Sequence, residues 1–184
     1  MRVRETALPG VVVIEPAVFR DERGFFLESY HEGRFADAGL PTNFVQDNHS
    51  RSAKSVLRGL HYQLNNPQGK LVTVVTGAIF DVAVDIRIGS PNFGRWVGEI
   101  LSEQEPRLLW IPPGFAHGFC VLTENADVVY KCTAPYDASD ERGVIWNDPT
   151  IGVQWPTDEP FLSPRDMRQP AFADATSALP RFPA

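Results

Sequence analysis

Leu57-Arg58-Gly59-Leu60-His61-Tyr62-Gln63 is followed by a polar loop, Leu64-Asn65-Asn66-Pro67-Gln68-Gly69, and then by Lys70-Leu71-Val72-Thr73-Val74-Val75-Thr76, which runs into Gly77. Two apolar runs broken by a loop with Pro and Gly read as strand, turn, strand. The pair carries a guanidinium, a titratable ring, a phenol and an ammonium. Burying such groups without partners is expensive, so this pair is expected to line a site as well as to build a sheet. Strict alternation puts Arg58 and His61 on opposite faces. Gly59 between them offers room for a bulge that turns both inward; alternatively, one of them enters the site from an edge.

Working outward, residues 11–14 form an apolar strand between Pro9-Gly10 and Pro16. Residues 25–30 form a second strand, after the charged turn Phe19-Arg20-Asp21-Glu22-Arg23-Gly24. In residues 44–49, alternation sets Gln46 and Asn48 on the face of Phe44. In residues 78–88, Phe80, Val82, Val84 and Ile86 share one face, and Asp81, Ala83, Asp85 and Arg87 the other. Acids facing a barrel interior could pair with Lys70 or Arg58; at an outer surface they carry no special meaning. Further short strands are expected at residues 96–101, 108–111, 128–132 and 144–146. Residues 34–39 allow one or two helical turns stopped by Gly39. Ser163-Pro164-Arg165-Asp166 has the form of a helix start with Ser163 as N-cap. So many short strands between turn signals predict an all-β antiparallel sandwich or barrel with a few short helices.

With 43% hydrophobic and 22% charged residues over 184 positions, the chain has the composition of one soluble domain spanning residues 1–184. The tail from about residue 171 is weakly apolar and is expected to be weakly ordered. The net charge of -6 argues against a general nucleic-acid binder. It leaves room for a local cationic pocket that takes a phosphorylated small molecule. No stretch approaches the ~20 apolar residues that span a bilayer. The first residues are charged with no apolar run behind them, so no secretory leader and no membrane partner are expected, and a cytoplasmic location is. Cys120 and Cys132 lie in apolar surroundings and read as buried free thiols.

Pro112-x-Gly114-x-x-His117, together with the His-bearing strand pair upstream, resembles the two motifs of cupin jelly-roll barrels. In metal-binding cupins the first motif holds a second histidine and a glutamate. Here Gln63 and Lys70 occupy those places. An ammonium repels a divalent ion and an amide is a poor ligand, so a metal-free barrel with a polar interior is expected. Such a pocket with a neutral imidazole as base, a fixed cation for developing oxygen charge and a phenol as acid suits proton removal beside a carbonyl and proton return. That is isomerase chemistry without a cofactor.

More specific stretches are Phe19-Arg20-Asp21-Glu22-Arg23-Gly24-Phe25-Phe26, Gln46-Asp47-Asn48-His49-Ser50, Leu57 to Gln63, Lys70-Leu71-Val72, Asp81-Val82-Ala83-Val84-Asp85-Ile86-Arg87, Ile111 to Phe119, Tyr130-Lys131 and Leu162-Ser163-x-x-Asp166. Through them the chain resembles the dTDP-4-dehydrorhamnose 3,5-epimerase family from Leu8 to about Asp166. The resemblance implies that His61 is the base at C3 and C5 beside the C4 ketone, oriented by Asp166. Lys70 would hold the enolate oxygen, and Tyr130 would return a proton from the opposite face. Arg58 and His117 would sit against the sugar or the pyrophosphate. Arg23, Glu28, Gln46, Asn48, Glu141 and Arg165 match positions that bind the dTDP-sugar. Arg23 and Glu28 would come from the partner in a homodimer. A single-centre epimerase is the nearest alternative. A metal-dependent cupin dioxygenase or a sugar-binding sensor is the more distant one. His31 and His49 lack comparable company and read as structural.

Overall fold

The computed structural model describes residues 1–182. The strands are β1 (Arg2–Glu5), β2 (Val12–Glu15), β3 (Val18–Asp21), β4 (Gly24–Leu27), β5 (Gln46–Ala53), β6 (Leu57–Gln63), β7 (Lys70–Thr76), β8 (Ala78–Asp85), β9 (Trp96–Ser102), β10 (Leu108–Ile111), β11 (Phe115–Val121), β12 (Asn125–Cys132) and β13 (Glu141–Gly143). They build two antiparallel sheets, in the orders β1-β2-β10-β7-β12-β5 and β13-β6-β11-β8-β9, with β3 and β4 as a separate hairpin. The interior between the sheets is apolar through most of its length. Val11, Val13, Val72, Leu109 and Val128 meet Ile79, Ala83, Leu101, Phe115 and Phe119 there. This is the expected jelly-roll barrel of an all-β protein.

Period-2 alternation decides which face each strand buries. On β8, Phe80, Val82 and Val84 turn outward, with Leu60 and Tyr62 of β6, under a cover made by the C-terminal segment. Phe172, Ala175 and Leu179 belong to that cover and are buried. The Tyr62 hydroxyl donates to Ala178 O at 3.1 Å, and Ile88 N donates to Pro180 O at 2.8 Å. The expectation of a weakly ordered tail from about residue 171 is therefore corrected over the described residues. The sheet's outer face needs an apolar cover, and the few apolar residues of the tail fall where they supply it. Residues 183–184 of that tail lie outside the described residues. On the other sheet, Phe35 of helix α1 (Glu32–Asp37), with Tyr30 and Phe44, covers Val12, Leu71 and Trp110. His31 accepts from Arg34 N at 3.3 Å as the cap of α1, and Gly39 ends that turn with φ +70°.

The face question at Arg58 and His61 is settled by a bulge. His61 pairs with His117 and Arg58 with Phe119, so three steps on β6 face two on β11. The extra residue restores the phase, and both side chains line one cavity. Gly59 makes this possible: its φ is +135°, and a Cβ there would stand 2.5 Å from Gly118 Cα. Gly59→Ala is expected to destabilise the protein by about 1–3 kcal/mol through backbone overpacking, seen as a lower urea midpoint.

Candidate active site

At one end of the barrel the two sheets part around a cavity of about 800 Å³, the size of a small-molecule site. β5 supplies Gln46 and Asn48 to its wall, β6 supplies Arg58 and His61, β7 Lys70, β11 His117 and β12 Tyr130; later segments add Tyr136, Glu141, Arg165 and Asp166. Every site residue expected from the sequence lies in this wall except Arg23 and Glu28. Those two sit on and beside the β3–β4 hairpin, where Arg23 pairs with Asp21 at 2.5 Å and Glu28 with Arg34 at 2.9 Å.

His61 stands inside β6 with its side chain 23% exposed, and its Nε2 meets Asp166 Oδ1 at 2.5 Å. Asp166 is buried. Its Oδ2 accepts from the Ser163 hydroxyl at 2.7 Å, and its backbone N–H donates to Ser163 Oγ at 3.1 Å. The expected helix start with Ser163 as N-cap is corrected: only a 3-10 turn forms, Asp166–Arg168, and its N-cap is Arg165. Ser163 uses this turn to lock the carboxylate. Burial works against ionisation of Asp166, but hydrogen bonds from His61, Ser163 and the Gly59 backbone outweigh it and hold its carboxyl below the usual range. With Nε2 bound to that carboxylate, Nδ1 is the ring nitrogen left free to take a proton.

Lys70 faces His61 from the opposite sheet, and among the described residues it makes no ion pair and no side-chain hydrogen bond. Burial pulls the pKa of its ammonium down; Cys132, Glu141 and Asp81 act against that pull. The Tyr130 hydroxyl also makes no hydrogen bond among the described residues. Burial pushes its pKa up, with Cys132 and Glu141 adding to the rise and Arg58 opposing it. Tyr130 therefore stays a protonated donor at neutral pH. Arg58 is steered by its Nε–H, which donates to Ser52 Oγ at 3.0 Å.

The acids of β8 do not pair with Lys70 or Arg58 as expected. Asp81 binds His117 Nε2 at 2.6 Å, with both side chains buried. Asp85 turns to Arg87 at 2.7 Å and Ser90 at 2.6 Å. The reason is register: Asp81 stands opposite Phe119 on β11 and His117 opposite Ala83, so acid and ring are diagonal neighbours on one inner face. Burial lowers the pKa of His117 and Asp81 works against it; Lys70 and His61 lower it further.

At the rim, one hydrogen-bonded chain joins residues that are far apart in sequence. Gln46 Nε2 donates to Asn48 Oδ1 at 2.9 Å, and Gln46 Oε1 accepts from Tyr136 N at 2.8 Å. The Tyr136 hydroxyl donates to Glu141 Oε2 at 2.7 Å, where Arg165 also binds. Tyr136, which no sequence motif marks, is the link between the two halves of this chain. A lone aromatic after a strand carries no further signal.

Gln63, in the second histidine's place of the cupin pattern, holds the barrel's end together. It donates to Asn66 O at 2.7 Å and Pro135 O at 3.2 Å, and it accepts from Asp137 N at 2.8 Å. Among the described residues no group of three or more His, Cys, Asp or Glu could hold a metal ion. His49 pairs with Asp127 at 2.9 Å, and both cysteines are free and buried. A base with a free lone pair, an unpaired ammonium across the cavity and a protonated phenol form a set suited to making and quenching an enolate.

A family model described as dTDP-4-dehydrorhamnose 3,5-epimerase matches residues 5–174. A dTDP-4-dehydrorhamnose 3,5-epimerase of Pseudomonas aeruginosa is 55% identical over 177 residues, covering 95% of this chain and 98% of that protein. One from Neisseria gonorrhoeae is 54% identical over 184 residues, the whole of this chain; the chain spans 56% of that relative's length. Among solved structures, the dTDP-6-deoxy-D-glucose-3,5-epimerase of Legionella pneumophila in complex with dTDP-4-keto-L-rhamnose is similar with a TM-score of 0.96. It is 48% identical, and the match covers 100% of this chain and 99% of that one.

Proposed function

The chain belongs to the dTDP-4-dehydrorhamnose 3,5-epimerase family, and on that premise we propose that it inverts C3 and C5 of dTDP-4-dehydro-6-deoxy-D-glucose. The product is dTDP-4-dehydro-L-rhamnose, on the route to dTDP-L-rhamnose. His61 takes the proton from the carbon beside the C4 ketone through Nδ1, while Asp166 holds the ring. Lys70 bonds the oxygen on which enolate charge develops. An unpaired cation in a half-buried cavity interacts strongly with such charge. Tyr130 returns a proton on the other face, which inverts the centre. These groups need no cofactor for this reaction.

Arg58 and His117 lie against the sugar or the pyrophosphate, and Gln46, Asn48, Glu141 and Arg165 bind the nucleotide sugar. Arg23 and Glu28 complete the site of a partner in a homodimer. Their hairpin supports this, since Phe19, Phe25 and Phe26 on it are all exposed, an apolar surface that a second copy would cover. The chain acts as one domain in the cytoplasm, without nucleic-acid or membrane partners; no helix among the described residues is long and apolar enough to cross a membrane.

The observation that carries this reading is the single cavity shared by Lys70 and the carboxylate-bound His61. It is tested by turnover of dTDP-4-dehydro-6-deoxy-D-glucose in deuterated water, read by NMR of the sugar. Deuterium is expected at both C3 and C5. Label at one carbon alone would assign a single-centre epimerase, and label at neither would reject epimerisation.

A further inference from the structure

A base that serves two carbons in turn must lose the first proton before it can take the second. Asp166 is a poor outlet: it is buried, its Oδ1 holds His61 and its Oδ2 holds Ser163. On the other side of the ring, His61 Nδ1 stands 3.9 Å from Glu141 Oε1. Among the described residues this oxygen has no hydrogen-bond partner.

Register puts it there. On the β6–β13 ladder, Gly143 is opposite His61 and Glu141 is opposite Gln63, so Glu141 is the diagonal neighbour of the base and the directly facing position has no side chain. Glu141 Oε2 is tied to Tyr136 and Arg165, both of which are exposed. Glu141 therefore connects Nδ1 of the base to the mouth of the cavity.

We propose that Glu141, beside its place among the residues that bind the nucleotide sugar, is the outlet through which His61 is reset between the two inversions, a role it plays through the base. This rests on the double epimerisation proposed above. In each round the C–H bond breaks, its electron pair enters the enolate and the proton goes to Nδ1. A ring tilt of about 1 Å brings Nδ1–H within hydrogen-bonding range of Oε1. The carboxylate takes the proton and releases it to water at the mouth, and His61 is neutral again. Tyr130 gives its O–H proton to the opposite face, and its phenolate regains one from water. Charge and protons balance in each round, and water is the only co-reactant.

The test is a rapid-quench time course of full-length Glu141→Gln with dTDP-4-dehydro-6-deoxy-D-glucose in deuterated water. Expected is a raised KM and, at saturating sugar, a second inversion slowed ~10–100-fold more than the first, within the range of proton-transfer catalysis. A singly inverted, singly deuterated sugar then accumulates. Acetate added to Glu141→Ala restores the second inversion. Arg165→Met keeps the carboxylate, so it raises KM without that accumulation. Equal slowing of both centres, or a rise in KM with kcat unchanged, overturns the outlet and leaves Glu141 a ligand. Failure of the double-epimerase reading is separate: the parent enzyme itself would then label fewer than two carbons.

Discussion

Replacing His61 with asparagine is expected to lower kcat by ~10²–10⁴, the usual worth of a positioned general base, with affinity for the nucleotide sugar changed only a few-fold. Nε2 of the imidazole is held by Asp166 at 2.5 Å, so Nδ1 is the ring nitrogen left to take a proton. Asparagine retains a donor for Asp166 but has no group that accepts a proton near neutral pH. Both inversions depend on the same nitrogen, so deuterium exchange should fall at C3 and C5 together. This contrasts with Glu141→Gln, where the two carbons separate. The measurement is turnover coupled to a downstream reductase, alongside calorimetric titration with dTDP. A variant that keeps more than a tenth of the parent kcat would remove His61 from the base role, as would exchange lost at one carbon only.

Replacing Lys70 with methionine is expected to lower kcat by ~10²–10³, the cost typical of deleting one oxyanion donor, and to raise Tm. The two effects have one cause. Burial pulls the pKa of this ammonium down, so the charged form is the disfavoured one in the folded chain. The folded pKa lies below the unfolded lysine value of ~10.4. The unfolded chain therefore binds the proton more tightly, and this group's contribution to stability rises as pH climbs between the two values. Methionine fills similar space without the charge, so it removes that penalty at neutral pH. Activity runs the other way. The ammonium must be charged to hold the enolate oxygen, so kcat should fall as pH rises through the lowered pKa, earlier than an ordinary lysine would allow. Thermal unfolding together with the alkaline limb of the pH–rate profile checks both halves. A Lys70→Met protein that is less stable and fully active would show that the cation supports the barrel and not the reaction.

The all-β class was legible because alternation and turn residues are local signals. Much of the cavity wall was legible because His61, Lys70 and Tyr130 lie on strands that those signals mark; His117 came from the cupin-like motif, since its strand, β11, carried no such mark. The partner of Asp81 was not legible. Choosing among Lys70, Arg58 and His117 takes the register of β8 against β11, which places Asp81 beside His117. The outcome for the tail was missed for a related reason: a sparse apolar pattern reads as weak order until a bare sheet face stands next to it. Tyr136 had no signal beyond its aromatic ring, and its role in the rim comes entirely from Gln46 and Glu141 on other strands.

By itself, then, the amino-acid order marked most of the strands, though not β1, β3 or β11, and set a strand at 144–146 where the structure has it at 141–143; it also put Gln63 and Lys70 where the cupin motif carries ligands and fixed the kinds of group available for chemistry. These follow from residue type and from a spacing of two along an extended chain. Only the tertiary structure decided which groups meet. The bulge at Gly59 brings Arg58 and His61 to one face, a 3-10 turn carries Asp166 back to the imidazole, and the β6–β13 register leaves Glu141 beside the free nitrogen. Each of these is a contact between segments distant in sequence, set by sheet register and by the packing that fixes it, and no local pattern encodes either.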